Sequence, residues 1–392
     1  MNPLIQAKRQ DSEALAGLVL AAGLSSRMKQ FKPLLPLGGQ SVLARVVGLL
    51  KGAGADPVLV VLGHRAEEMA PEVRRLGAVP VLNAEYEQGM FSSLRTGLSA
   101  LPAACQAFFL LPVDIPLVRP HTLARLRAAW AQGQGPVLHP TFQGERGHPP
   151  LISAGLAEAI ADYQGPGGLR GFWEQAPDMA HEVPVADRFI LRDQDHPEDY
   201  AAMKAEVADY DTPSQAECLA LLTDVLELAP DLVAHSVMVG KVAQALALAA
   251  KQAGAALSPE LALAGGLLHD VAKGQPDHPA AGAALLGEMG FAELAPLAAR
   301  HVDIEIAPNA PLSEAELVHL ADKLVKADHR VALDHRFGDK MERKGASPEA
   351  KAAIQRRWDL ARNIAERVEA VIGVGLEQCL ARAGLAVENE HQ

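Results

Sequence analysis

The stretch LVLAAGLSSRMKQFKPLLPLGG, Leu18 to Gly39, opens as a continuous apolar run and breaks into Ala21, Ala22 and Gly23. Two serines, Arg27 and Lys32 follow, and then a proline-punctuated apolar segment. A continuous apolar run ended by small residues reads as a strand buried on both faces, as in a parallel sheet. Small residues after such a strand let the backbone approach a ligand closely. Exposed N–H groups in the turn attract anions, and Ser25 and Ser26 add hydroxyl donors. Arg27 offers a planar fork suited to phosphate oxygens, and Lys32 a mobile point charge. Neither the Gly-x4-Gly-Lys-Ser/Thr spacing nor Gly-x-Gly-x-x-Gly is present, so this is not one of the standard phosphate fingerprints. The alternative reading is an ordinary strand-to-helix loop with solvated cations.

Outward from this stretch, VLVVLG, VPVLNA and AFFLLPVD read as further strands. SVLARVVGLLKGAG, RAEEMAPEVRRLG and SSLRTGLSAL between them carry helical apolar spacing. Continuous strands alternating with helices predict a mostly parallel α/β sheet. PVLHPTF, HEVPV and RFILRD add strands, with an antiparallel one expected at the edge. From about Ala216 the texture becomes Ala- and Leu-rich helix after helix, with no β-type run of any length. Ser258-Pro259-Glu260 opens one helix and Gly274 closes it; Ser313 and Glu316 form a capping box for another. The expected division is an α/β domain over 14–205, a polar linker over 206–216, a helical domain over 217–340, and a helical extension over 341–385 packed on it.

The chain has 392 residues and a formal charge of −12, which argues against nucleic acid as the main partner. Anionic substrates must then be met by local cations or metal ions. Three widely spaced cysteines have neither zinc spacing nor a disulfide framework. The polar N-terminus lacks a secretory h-region, and no charge-free apolar stretch of membrane length is read, so a cytoplasmic protein without a membrane partner is expected.

Two aspartates stand out in the first half. Asp114 ends a strongly apolar strand between two prolines, where open α/β sheets bind ligands, and Asp195 lies just after the last predicted strand. Converging, the two would hold Mg²⁺ on a triphosphate. Alone, Asp114 is more commonly a turn residue.

The segments LAAGLSSRMKQFKPLLPL, NAEYEQGMFSSLRTGL, LLPVDIPLV, GERGHPPLIS, GPGGLRGF and DQDHPEDY occur in order. Together, over about 15 to 205, they resemble the MobA-like nucleotidyltransferases, and within them the molybdenum cofactor cytidylyltransferases. The resemblance implies a Rossmann-like sheet that transfers NMP from an NTP to a phosphorylated acceptor, with Leu20, Ala21, Ala22 and Gly23 cradling the nucleotide. It implies phosphate contacts from Ser25, Arg27 and Lys32, Mg²⁺ on Asp114 and Asp195, and Gly89, Ser92 and Ser93 near base and ribose. Arg146, Gly147 and His148 would lie near the acceptor. LAAG rather than LAGG resembles the CTP-using branch, with a molybdopterin-type acceptor and a molybdoenzyme or its chaperone as a further partner. One departure is Lys29, where the family has glycine. Either the loop bends differently, or Lys29 adds a phosphate contact, or activity is impaired. His196 in DHPED, where DTPED is usual, is a lesser change, since Asp195 is retained.

In the second half His235 lies in line with Met238, Val239, Val242 and Leu246 at helical spacing, and a histidine on a buried stripe needs a partner. GGLLHDVAKG supplies His269 and Asp270, Asp322 points inward between Val318 and Val325, and His278 and His301 fall between them. A lone His-Asp pair is more often a helix-end cluster, and His278 before Pro279 has a solvent-facing reading. His319, His329 and His335 are read as surface residues. The ordered series resembles the HD-domain phosphohydrolases over about 217 to 335. It implies one divalent metal on His235, His269, Asp270 and Asp322, a second drawing on His278 and His301, and Lys273 on a substrate phosphate. Mixed nitrogen and oxygen ligands suit Mn²⁺ or Fe²⁺ better than Ca²⁺. The sequence therefore reads as a bifunctional enzyme: an NMP transfer releasing pyrophosphate, and a phosphoester hydrolysis. The alternative is a transferase for another phosphorylated acceptor, such as a sugar phosphate, with a regulatory nucleotide-binding HD domain.

Overall fold

The computed structural model describes residues 14–23, 30–307 and 309–387. The chain forms two compact units, one ending at Tyr210 and the other beginning at Asp211.

The first unit is built on a sheet whose main strands are β1 (Leu15–Ala21), β2 (Val58–Leu62), β3 (Val79–Leu82), β4 (Ala107–Pro112), β5 (Val137–Phe142), β6 (Leu151–Ser153) and β7 (Ala180–Pro184). Their order is β7-β5-β6-β4-β1-β2-β3, with Glu145–Arg146 hairpinned onto β5. β1 pairs in parallel with β2 and β4, β2 with β3, and β5 with β7. β1, β2 and β4 are buried along their whole length, which is why they lack a polar alternation. Helices Val42–Gly52, Ala66–Arg75, Met90–Ser99 and Pro120–Ala131 fill the connections. The first is capped by Ser41, whose hydroxyl accepts from the Ala44 N–H. The Met90–Ser99 helix lies close on the sheet because Gly97 faces Leu18 and Val61: a Cβ there would come within 2.4 Å of Leu18.

Two expectations change. The antiparallel strand is not an edge. It is β6, inserted between β5 and β4 and antiparallel to both, while edge strand β7 is parallel to its neighbour. RFILRD is not a strand, since Arg188–Leu191 is a 3₁₀ turn. The cause is Asp187, fully buried, whose carboxylate accepts from the N–H groups of Phe189 and Arg119 and from the Thr122 hydroxyl. An aspartate satisfying the first free N–H groups starts a helical turn in place of an extended ladder.

The second unit is helical apart from a two-residue ribbon pairing Val325–Lys326 with His329–Arg330. Its core helix, Pro230–Gln252, packs on Pro259–Leu268, where Gly266 meets Gly240. A Cβ on Gly266 would lie 2.6 Å from the Gly240 Cα, so the pair of glycines sets a close crossing. Ser258 caps the second helix, and Ser313 and Glu316 form the capping box of Glu314–Lys323, as the sequence pattern requires. The regular helix ends at Leu268, ahead of Gly274, so His269 and Asp270 sit in the turn that follows it. Pro230–Gln252 is long and apolar enough to cross a membrane by length and composition, contrary to the reading of the sequence alone. Its Val239, Val242, Ala243 and Leu246 are buried in the unit, which accounts for that composition. Pro348–Ile372 lays Ile354, Ala361, Ile364 and Val368 against the unit, and its Arg367 donates to Glu316 at 2.8 Å.

Candidate active sites

In the first unit the C-terminal ends of β1 and β4 open into a cleft of about 370 Å³, lined by Leu20, Ala21, Ala22, Gly23, Lys32, Tyr86, Gly89, Ser93, Asp114 and Asp195. Lys32 stands in the 3₁₀ turn Lys32–Leu34, almost fully buried. Its Nζ donates to Asp195 Oδ1 at 3.0 Å and lies 3.9 Å from Asp114 Oδ2. The two carboxylates, 81 positions apart in sequence (195 − 114), thus meet over one ammonium group. Burial pushes the Asp114 carboxyl above its usual range; Lys32 pulls it down, and Asp195 and Asp193 add like charge. Two carboxylates converging at the ligand-binding edge of a parallel sheet fit a divalent metal ion. Ser25, Ser26, Arg27 and Lys29 lie outside the described residues.

Gly89 precedes the Met90–Ser99 helix with φ of 98°, a conformation glycine adopts without strain. Ser93 lines the cleft. Ser92 instead donates to the Glu85 and Gly89 carbonyls. Both hydroxyls accept from the amide of buried Asn83, at 2.9 and 3.0 Å. Asn83 was not picked out from the sequence, although a polar residue directly after a strand is the available signal.

A second cavity of about 960 Å³ shares Leu20, Met90 and Pro112 with this cleft. Arg146, Gly147 and His148 line it, with Phe91, Leu94, His139, Arg170 and Trp173. Gly147 is held against the Ile190 carbonyl, 2.5 Å from where a Cβ would stand. Arg146 donates to Glu182 at 2.9 Å. His139 Nε2 and His148 Nδ1 are buried without a hydrogen-bond partner. Burial lowers both imidazole pKa values, His139 to about 4. Folded His139 is therefore neutral at pH values where an unfolded imidazole is protonated. Its contribution to stability is complete above about pH 6.5 and is lost as pH falls toward 4, reaching about 2 kcal/mol by pH 5. Urea unfolding between pH 7.5 and 5 is expected to show a smaller loss of stability for His139→Gln than for the parent, and equal losses would refute this.

In the second unit six imidazole and carboxylate side chains close on one another. His269 and Asp270 are 1% and 3% exposed. His235, His269 and Asp270 form one group, and Asp270, His278 and His301 another, each with ligand atoms within 4.8 Å of one another. Asp322 Oδ1 lies 3.2 Å from His235 Nε2 and 3.8 Å from His269 Nε2. Asp270 Oδ1 lies 3.2 Å from both His278 Nε2 and His301 Nε2. Three histidines share one arrangement. The Nδ1 atoms of His235, His269 and His301 face the carbonyls of Ala327, Gly266 and Ala298 at 2.8, 2.7 and 2.6 Å. A carbonyl only accepts, so Nδ1 carries the proton and Nε2 presents its lone pair to the cluster. Buried His269 Nε2 and Asp270 Oδ1 have no hydrogen-bond partner of their own. Lone pairs left unmet in a buried cluster fit a divalent cation. Burial would raise the Asp322 carboxyl, but Lys323 holds it well below the usual range.

Lys273 Nζ is committed to Asp270 Oδ2 at 2.7 Å. Lys323 was not singled out from the sequence; its Nζ donates to Asp322 Oδ2 at 2.6 Å and to the His301 carbonyl at 3.2 Å. His319 is not a surface residue. It is fully buried, neither ring nitrogen has a well-formed hydrogen bond, and burial lowers its pKa to about 3. The Glu314–Lys323 helix is buried on most sides, so its polar positions do not mark an outer face.

The model of the MobA-like NTP transferase domain matches residues 17–183, and that of the HD domain matches residues 232–327. Among curated proteins, the Bifunctional protein GlmU of Corynebacterium aurimucosum is 34% identical over 29% of this chain and 25% of its own length. The chain thus spans about a quarter of that relative. A nicotine blue oxidoreductase of Paenarthrobacter nicotinovorans is 28% identical over 47% of this chain and 94% of its own length. A probable molybdenum cofactor guanylyltransferase of Opitutus terrae is 35% identical over 33% and 61%. Among solved structures, Rv0371c of Mycobacterium tuberculosis is 26% identical, with a TM-score of 0.43, over 50% of this chain and 100% of its own. Molybdopterin-guanine dinucleotide biosynthesis protein A of Archaeoglobus fulgidus is 16% identical, with a TM-score of 0.37, over 50% and 99%.

Proposed function

We propose that this chain, a MobA-like NTP transferase domain followed by an HD domain, is a bifunctional enzyme of nucleotide and phosphoester chemistry. Its first half transfers CMP from CTP to the phosphate of a molybdopterin-type acceptor, and its second half hydrolyses a phosphoester. The observation that carries the first reading is the meeting of Lys32, Asp114 and Asp195 at the C-terminal ends of β1 and β4.

The acceptor phosphate is already a nucleophile at neutral pH. Its oxygen attacks the α-phosphorus, the bond to the bridging oxygen breaks, and pyrophosphate departs. No strong general base is needed; positioning and charge neutralisation supply most of the rate. The small residues Ala21 to Gly23 let the triphosphate approach the backbone, and Arg27 and Lys32 bind its oxygens. Gly89 and Ser93 lie on the nucleoside side, with Asn83 fixing the serine hydroxyl. Asp114 and Asp195 would hold Mg²⁺, which when bound neutralises charge on the departing pyrophosphate. The acceptor lies in the second cavity. Its mixture of Phe91, Leu94, Trp173 and two imidazoles, each with one unpartnered ring nitrogen, suits a flat heteroaromatic body, and Arg146 and Arg170 suit its phosphate. This favours a pterin over a sugar phosphate. CTP is preferred to GTP on the LAAG form of the first loop.

In the second half His235, His269, Asp270 and Asp322 would hold one divalent transition metal, with His278 and His301 serving a second. A metal held there would supply Lewis-acid activation of water and charge compensation at the phosphoryl group. The chain fixes the imidazole tautomers, buries the carboxylates and holds Asp270 with Lys273.

Incubation with each NTP, Mg²⁺ and molybdopterin, with pyrophosphate release as the readout, tests the first reading. Release is expected with CTP at least tenfold faster than with GTP. Release only with another phosphorylated acceptor removes the cofactor assignment.

A further inference from the structure

The three carbonyls that hold the Nδ1 atoms of His235, His269 and His301 come from different places. Gly266 and Ala298 stand three residues before His269 and His301, in the helices that lead into those histidines. Both bonds are buried and local, so they move with the histidine they fix. Ala327, the acceptor for His235, is 92 positions away in sequence (327 − 235), and its bond lies where water can compete for the same N–H. His235 is therefore the one of the three whose orientation depends on a different element. That element is the ribbon of Val325–Lys326 and His329–Arg330, which lies against the Pro230–Gln252 helix that carries His235. Ala327 stands at its tip with φ of 54°, a left-handed conformation that alanine adopts poorly.

Two residues an arm are too few for strand pairing to hold itself. Val325 anchors one arm by burial, and Lys326 adds a partly exposed ion pair to Asp339 at 2.7 Å. The other arm is anchored by Arg330, which is 2% exposed, so its guanidinium has to be paired inside the protein. Nη1 donates to the Leu324 carbonyl at 3.2 Å, which also accepts from the Val331 N–H at 2.9 Å and so closes the base of the ribbon. Nε donates to the Leu385 carbonyl at 3.2 Å and Nη2 to Glu377 at 2.7 Å. Glu377 stands on the helix Leu376–Arg382, which also packs on Pro230–Gln252. The fork thus ties the ribbon to a second element seated on the same core helix, and a lysine, with one nitrogen, could not reach both. We infer that Arg330 is a positioning residue of the metal centre: it holds the ribbon so that the Ala327 carbonyl keeps the His235 Nε2 lone pair turned into the cluster. Its effect falls on the group of His235, His269 and Asp270, while His301 keeps its own local fixing. This rests on the reading of the cluster as a metal site.

Arg330→Lys in the full chain is the test, read by calorimetric titration with Mn²⁺ and by heteronuclear NMR of the imidazole N–H groups in the metal-free protein. The His235 Nδ1–H resonance should be lost to exchange with water, while those of His269 and His301 stay. One Mn²⁺ equivalent should bind about tenfold more weakly or worse, and any second equivalent within about twofold of the parent. Glu377→Gln, at a half-exposed side chain, should move both readouts the same way, with about threefold weaker binding. It decides the matter should Arg330→Lys not fold. Arg362→Lys, in the exposed pair with Asp334, should move neither readout. If the parent takes up no Mn²⁺, the metal reading falls and the His235 resonance alone decides the positioning role. A His235 resonance that persists in both variants, or loss of all three resonances together, overturns the inference.

Discussion

Asp114→Asn is expected to lower CTP-dependent pyrophosphate release by about two to three orders of magnitude, while thermal unfolding of the first unit hardly moves or shifts upward. The asymmetry follows from the geometry. In the protein without nucleotide, Asp114 is a carboxylate pushed up in pKa by burial and by the nearby charges of Asp195 and Asp193, with Lys32 only partly compensating. Lys32 is hydrogen-bonded to Asp195, not to Asp114. Replacing Asp114 by a neutral isostere removes the like-charge repulsion and leaves the Lys32–Asp195 bond in place. On the proposed function, what would be lost is the second carboxylate offered to Mg²⁺ and the triphosphate. Asp195→Asn should cost a similar amount in rate and more in stability, because it weakens the partner of a buried ammonium. Steady-state assays beside differential scanning calorimetry check both. A change of less than fivefold in rate for Asp114→Asn would remove the catalytic role of the pair.

Much of this site is legible in the sequence because the α/β sheet imposes it. The apolar runs at Leu18, Val58 and Phe108 read as buried parallel strands, and small or acidic residues directly after such strands fall at the ligand-binding edge. The same logic explains what was missed. β6 has only three residues, too few for a periodicity, so the antiparallel insertion left no pattern. RFIL has strand composition, and only the distant partners of Asp187, Arg119 and Thr122, make it a turn. Asn83 and His139 matter through groups brought to them by other elements, Ser92 and Ser93 in one case and Trp173 in the other. In the helical unit the His-Asp series is legible as an ordered set. His319 was misplaced because a helix surrounded by others on most sides shows no amphipathic contrast. Lys323 was passed over because an adjacent Asp-Lys pair on a helix is normally a solvated one.

His269→Ala should abolish Mn²⁺-dependent phosphoester hydrolysis, by about three orders of magnitude, and should also erase metal-induced stabilisation. His269 is the member of the cluster with no alternative employment. Its Nδ1 is tied to Gly266, so its Nε2 cannot turn away, and that Nε2 is buried with no hydrogen-bond partner. Asp270 and Asp322 both have lysines to stabilise them without metal. The metal-free parent therefore tolerates the carboxylates but leaves the His269 lone pair unmet. Metal at about a thousand times its dissociation constant stabilises a folded unit by about 4 kcal/mol, which for a unit of this size raises Tm by roughly ten degrees. The parent should show that rise with Mn²⁺ and lose it with a chelator. His269→Ala should show little of it, while its metal-free Tm lies within a few degrees of the parent's. Lys273→Ala supplies the contrast: it strips a cation from Asp270 but removes no lone pair from the cluster, so the Mn²⁺-dependent rise in Tm should persist. An equal Mn²⁺ effect on the parent and on His269→Ala would place the ion elsewhere, and the imidazole cluster would then be a buried polar network without a metal.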